Sequence, residues 1–218
     1  MSKLDFSNYN NLPLVAAADA LLNQQLAAAH TTRDKLFSQL ASLFQQEETA
    51  GKYAFCLIHR HYLLQEGESM VTNGDSTQPS KDSSDNIVAE CWLRTGEAME
   101  YRVATATDRA TLPPPPSKDF LNSFNKILDL YGIDVLGVCY LLEMDKLKDG
   151  FVFLETAGSR NREQVVSIVS ESEAASSPQI YQTAWVPTFD VLRHIYASQT
   201  MITCMSCEPG SDQPAPRR

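Results

Sequence analysis

The 218-residue chain has no apolar run approaching the ~18 residues that a membrane-spanning helix requires. It has no excess of positive charge: 18 Lys and Arg stand against 27 Asp and Glu, a net charge of −9. That balance argues against a general nucleic-acid binder and against adsorption to an anionic membrane. Motifs that mark common chemistries are missing. There is no G-x-S-x-G elbow, G-x-G-x-x-G loop, H-E-x-x-H helix or EF-hand loop. Met1-Ser2-Lys3-Leu4-Asp5-Phe6 lacks the basic and apolar regions of a secretory leader, so the expectation is a cytoplasmic protein. Cysteine is sparse and odd in number (Cys56, Cys91, Cys139, Cys204 and Cys207), which fits free thiols in a reducing compartment. What the chain does have is apolar material, 43% of its residues. That is enough to bury a core and excludes wholesale disorder.

Hydrophobic spacing predicts the elements. Residues 13–29 read as a helix with Leu14, Val15, Ala18, Leu21, Leu22 and Leu26 on one face. Residues 33–48 read as a second, with Leu36, Phe37, Leu40, Leu43 and Phe44 as its stripe, so 13–48 form a helical hairpin. Residues 52–64 alternate as one long strand, and 69–72 as a short partner. Residues 73–86 are rich in Ser, Asp, Gly and Thr and read as a loop. Residues 87–93 and 98–104 flank Arg94-Thr95-Gly96-Glu97 as a hairpin. After a break at 107–116, Ser117 caps a helix carrying Phe120, Leu121, Phe124, Ile127, Leu128 and Tyr131, which Gly132 ends. Residues 135–142 and 151–155 read as strands, and 161–170 as a helix with capping-box spacing between Asn161 and Gln164. A polar loop at 172–178, a strand at 183–186 and a short helix around Phe189, Leu192, Ile195 and Tyr196 complete the pattern. The expected fold is therefore one α+β domain over 1–207. It has an N-terminal helical hairpin, a mainly antiparallel sheet and two further helices within 52–203, and a disordered C-terminal tail at 208–218.

Four stretches carry residues capable of chemistry. His59 and His61 on a strand project to one side, ~7 Å apart, where they can share a metal or supply an acid and a base. Glu66 follows as a third catalytic candidate and Arg60 as a ligand-binding one. The His-x-His-x4-Glu spacing resembles the first metal motif of cupins, but a second Gly/Pro/His motif is missing, and fifty residues of helix precede it. Cys204-Met205-Ser206-Cys207 is half of a zinc site, and His59, His61, Cys204 and Cys207 together make a sensible Cys2His2 set for zinc or another divalent metal. In the strand-turn-helix stretch Glu155 to Arg162, Arg160 or Arg162 can clamp an anion. Pro113 to Pro116 is a stiff segment suited either to docking or to leading into the following helix.

Several segments also resemble a family of small uncharacterised proteins from filamentous fungi. They are Leu57-Ile58-His59-Arg60-His61, Gly67-Glu68 with Val71-Thr72-Asn73-Gly74, Trp92 with Gly96-Glu97, the proline run, Leu136-Gly137-Val138-Cys139-Tyr140, Glu155 to Asn161, and Thr183-Ala184-Trp185. The resemblance covers roughly residues 50–190. It implies a fungal intracellular setting beside secondary-metabolite enzymes, and it carries no activity and no site residue.

Two function classes stay open. One is a cytoplasmic accessory or interaction protein attached to fungal secondary metabolism, with a protein partner on the helical hairpin or the proline run. The other is a small-molecule-binding protein or enzyme. It would act on a polar or anionic ligand through a pocket of His59, Arg60, His61 and Glu66, with or without a metal. Whether the chain is an enzyme is left open, and neither nucleic acid nor membrane is an expected partner. An open concave setting for His59 and His61 favours the second class, and a flat or tightly packed one the first.

Overall fold

A computed structural model describes residues 3–81, 86–141, 144–157, 162–176, 179–190 and 195–205. These residues form six helices and ten strands. The strands are β1 (Tyr53–Leu57), β2 (Ser69–Asn73), β3 (Ser76–Ser80), β4 (Ile87–Trp92), β5 (Ala98–Val103), β6 (Leu136–Tyr140), β7 (Phe151–Ala157), β8 (Gln164–Ser170), β9 (Ile180–Asp190) and β10 (Ile195–Met205). The fold is α+β, as expected, but the sheet is not open. Its strands close into a barrel in the order β1-β6-β4-β5-β2-β3-β8-β7-β10-β9. Eight of the ten pairings are antiparallel, and β2–β5 and β7–β10 are parallel.

The helices lie mostly on the outside. α1 (Phe6–Asn10) is short, and α2 (Val15–Ala28) and α3 (Arg33–Phe44) form the expected hairpin. Thr32 caps α3 by accepting from the Lys35 N–H, and Arg33 ties the pair by reaching Asp19 of α2 at 2.5 Å. The α3 stripe buries Leu36, Phe37, Leu40, Leu43 and Phe44 against the outer barrel face. There the Phe37 ring sits 4.9 Å from Phe55 and 4.7 Å from Trp185. α4 (Ala106–Thr111) is followed by α5 (Lys118–Tyr131). Ser117 caps α5, and Gly132 ends it at φ 62°, a left-handed conformation that suits glycine. The proline run packs on its own barrel: the Tyr140 hydroxyl donates to the Pro113 carbonyl at 2.8 Å, and the Tyr53 hydroxyl donates to that of Pro114.

Several expectations change. The anticipated helix at 161–170 is strand β8. Val165, Val166, Ile168 and Val169 are β-branched, and the full register of β7 supplies the hydrogen bonds that a helix would have made internally. The loop at 73–86 contains β3, whose Pro79 pairs with Met70 of β2 beyond the two residues, Ser76 and Thr77, that also face β8. The break at 107–116 contains most of α4, and the polar loop at 172–178 contains most of α6 (Glu171–Ala175). Phe189 lies in β9 and Ile195 and Tyr196 in β10 rather than in the expected short helix, and Leu192 lies outside the described residues. The long strand at 52–64 stops at Leu57. Beyond it the Ile58 N–H donates to Val135 O and the Arg60 N–H to Pro13 O, which draws the chain off the sheet. The tail at 208–218 lies outside the described residues, and among those described no helix is long and apolar enough to cross a membrane.

Strand directions give the barrel two distinct ends. The ends of β1, β4, β7 and β10 and the starts of β2, β5, β6 and β8 meet at one of them. The segment after β1 closes this end together with α1. Tyr9 and Tyr62 are fully buried there, and Asn10 bonds both the N–H (2.7 Å) and the carbonyl (2.8 Å) of Leu64. Arg162 straps the closure. Its guanidinium donates to both Glu68 carboxylate oxygens, at 3.1 and 2.6 Å, and to the Leu63 carbonyl. Burial pushes the Glu68 carboxyl up, but Arg162 and the Gln65 N–H outweigh it and hold the group below its ordinary value. A depressed carboxylate contributes stability that is complete above its unfolded value and is lost as pH falls through the folded one. Glu68→Gln is therefore expected to lower stability at neutral pH and to flatten its acid limb below about pH 4.5, the region where an unfolded Glu titrates. Urea midpoints at several pH values check this, and an unchanged acid limb would remove Glu68 as its source.

Candidate functional site

The barrel interior holds a cavity of about 440 Å³. Its closed end carries His59 and His61, its middle Cys56, Cys91, Cys139, Met99, Phe153 and Met201, and its other end Gly74, Asp75, Arg102, Lys146 and Ile168. Gly74, Asp75, Lys146 and Ile168 are exposed, so that second end opens to solvent.

His59 and His61 leave the strand yet stay buried, 7% and 3% exposed. Their rings meet edge to face at 4.6 Å, closer than positions two apart on a strand would allow. His59 Nδ1 lies 2.8 Å from the Leu57 carbonyl, so that nitrogen carries the proton and Nε2 is left as a lone-pair donor. His59 Nε2 has no hydrogen-bond partner. His61 is turned the other way: Nε2 lies 3.5 Å from Glu100 Oε1, and Nδ1 has no partner. Burial pushes His59 down to about 4; burial, with His59 as a neighbour, pushes His61 well below its ordinary value. Both imidazoles are therefore neutral at physiological pH.

Two more groups come in from the far side of the barrel. Glu155 of β7 and Cys204 of β10 are register partners across the parallel pairing. One ligand atom from each of His59, His61, Glu155 and Cys204 lies within 4.8 Å of every other. Burial and then Glu90 push Glu155 up to about 7, with a hydrogen bond from Cys204 acting against them. Gln164 Nε2 approaches the Cys204 sulfur at 3.6 Å. Burial, reinforced by Glu155 and Glu90, raises Glu100 well above the usual carboxyl range, while the Tyr9 hydroxyl opposes the shift. Glu90 is held by Thr72 at 2.5 Å and faces Arg102 at 3.9 Å.

The residues expected from sequence are distributed unevenly. His59, His61 and Cys204 come together. Glu66 is exposed in the turn before β2 and does not line the cavity, so its catalytic assignment is withdrawn. Arg60 is half-buried and absent from the cavity wall. Arg160, Cys207 and the fourth histidine, His194, lie outside the described residues. The sequence places Glu155 in an anion-binding turn and Gln164 in a capping box, and gives no role to Glu90 or Glu100. The signal for Glu100 and Arg102 was their shared strand face, a pair of charges two apart between Ala98 and Ala104.

Cys56, Cys91 and Cys139 stand on neighbouring strands β1, β4 and β6, with Cys56 and Cys91 sulfurs 3.5 Å apart. Contact with the other two thiols and then burial raise Cys56 well above its ordinary value, so this group is a poor nucleophile.

No family model matches this chain, and neither does a curated protein or a solved structure.

Proposed function

We propose that the protein takes a small organic molecule into its barrel, entering at the Lys146–Ile168 end with its polar group directed towards His59 and His61. The observation that carries this reading is the one-ended cavity of about 440 Å³, a size suited to a small ligand. Its middle is apolar and sulfur-rich, and polar groups stand at both ends, His59 and His61 at the closed one and Asp75, Arg102 and Lys146 at the open one. Glu90, Glu100 and Glu155 face the interior, and Arg102 is already opposite Glu90. That balance favours a neutral or cationic ligand over the anion expected from Arg60 and Arg160. The surfaces assigned to an interaction role are engaged internally: α3 packs on the barrel, and the prolines accept from Tyr53 and Tyr140.

The test uses the neutral fluorescent probe N-phenyl-1-naphthylamine. Saturable one-to-one binding is expected, weakened roughly tenfold or more, a cost of about 1.4 kcal/mol, by Ala184→Trp, which fills the cavity from β9. Binding that is unchanged in a folded Ala184→Trp protein would place the probe elsewhere and overturn the reading.

A further inference from the structure

We infer that His59 Nε2, His61 Nδ1, the Glu155 carboxylate and the Cys204 sulfur form a zinc site at the closed end of the barrel. The inference is independent of the ligand-binding reading, because it concerns the protein's own side chains at one end of the cavity. It also departs from the Cys2His2 set expected from sequence, since Glu155 takes the place given there to Cys207.

Three observations converge on it. The first is proximity: four ligand atoms of the right kinds, from three separate segments, lie within 4.8 Å of one another. Zinc bonds of ~2.0–2.3 Å place tetrahedral ligand atoms about 3.3–3.7 Å apart. The set therefore needs to contract by about 1.5 Å at most. The second is orientation. His59 donates its Nδ1–H to Leu57 O at 2.8 Å, while His61 Nε2 lies 3.5 Å from Glu100 Oε1, a buried oxygen that itself has no hydrogen-bond partner. Each ring leaves its other nitrogen buried with no hydrogen-bond partner. Two orphaned imidazole nitrogens in one buried space are costly unless something accepts their lone pairs, and a metal ion does so. The Leu57 carbonyl on His59 is also the kind of contact that fixes a metal-binding imidazole.

The third is the chemistry of the donor set. Two neutral nitrogens, one sulfur and one oxygen in a four-ligand cluster suit the borderline, tetrahedral Zn²⁺ better than the all-oxygen preference of Mg²⁺ or Ca²⁺. Gln164 adds an N–H directed at the sulfur, a contact that favours thiolate over thiol. Binding is a ligand exchange: zinc replaces the thiol proton of Cys204 and any proton on Glu155, and these protons pass to solvent. Zn²⁺ with one thiolate and one carboxylate leaves the buried centre formally neutral.

The experiment is metal analysis of untagged protein from zinc-supplemented culture, followed by cobalt substitution. One zinc per chain is expected, and the cobalt form should show a thiolate-to-cobalt charge-transfer band. Cys204→Ser should abolish that band, while Cys56→Ser, a cavity thiol outside the set, should keep it. X-ray absorption of the wild-type zinc protein needs no variant to fold, and should give one sulfur near 2.3 Å among nitrogen and oxygen ligands. Metal far below stoichiometry, a shell lacking sulfur, or a band lost in Cys56→Ser and kept in Cys204→Ser would overturn the site. Probe uptake by metal-free protein bears on the cavity reading alone, so the two proposals fail separately.

Discussion

Phe44→Ala is expected to lower stability by about 3–5 kcal/mol, the range for deleting a buried phenylalanine ring. Phe44 is fully buried where α3, α5 and β1 meet. Its ring contacts Phe120 at 4.9 Å, Phe55 at 5.6 Å and Phe124 at 5.8 Å, each steeply inclined. Edge-to-face pairs each add ~0.5–1.5 kcal/mol beyond burial, which places the cost towards the upper end. The neighbours come from α5 and β1, so they cannot collapse into the space without moving a helix off the barrel. Phe44→Leu fills part of the volume and should recover more than half the loss. Equilibrium denaturation in guanidinium measures both. A loss under about 1 kcal/mol for Phe44→Ala would mean that the hairpin is not packed on the barrel face.

Gly137→Ala is the second large effect. A Cβ at this position in β6 would lie 2.3 Å from Ile58 Cδ1 and 2.4 Å from the Trp92 carbonyl oxygen. The isoleucine tip can turn aside, but the carbonyl belongs to β4, which pairs with β6 through Cys91↔Cys139 and Trp92↔Val138. Adding one methyl therefore pushes two barrel strands apart. Overpacking of this kind costs ~1–3 kcal/mol, and for a chain of this size that lowers the melting temperature by roughly 2–12 °C. Combining it with Ile58→Ala should not restore the wild-type value, because the backbone clash remains. Full rescue by Ile58→Ala would show that the side chain was the whole obstacle and that the two strands can separate at little cost.

The contrast between α5 and β8 shows what a local pattern can and cannot specify. Ser117, the apolar stripe and Gly132 each favour the same helix, and α5 forms between them. At 164–170 the apolar positions fit a strand as well as a helix, and the Asn161–Gln164 spacing tipped the reading to helix. The deciding interaction is pairing with β7, which local spacing does not encode. The closed barrel was hidden for the same reason. It depends on β1 meeting β9 and on β7 meeting β10, contacts between segments far apart in sequence. The site follows that division. His59 and His61 stood out because two histidines in three residues are conspicuous. Glu155 and Cys204 become their neighbours only through the parallel register of β7 with β10, so the sequence showed them as a turn residue and half of a C-x-x-C.

The same closure has a consequence for how the chain is made. β1 pairs with β9 through Phe55↔Trp185, and β10 fills the gap between β9 and β7. A chain emerging from the ribosome has therefore synthesised most of its length before β1 can meet its last neighbour. Until then β1 and β7 present open backbone edges to other chains. Folding dominated by such distant pairings is slow and exposed to aggregation, and it begins in earnest only after release of the C-terminal strand. The helical hairpin does not escape that wait, because α3 packs mainly against β9 and β10. Truncation before residue 205 removes the strand that seals the ring, so an incomplete chain is an aggregating one rather than a smaller working protein.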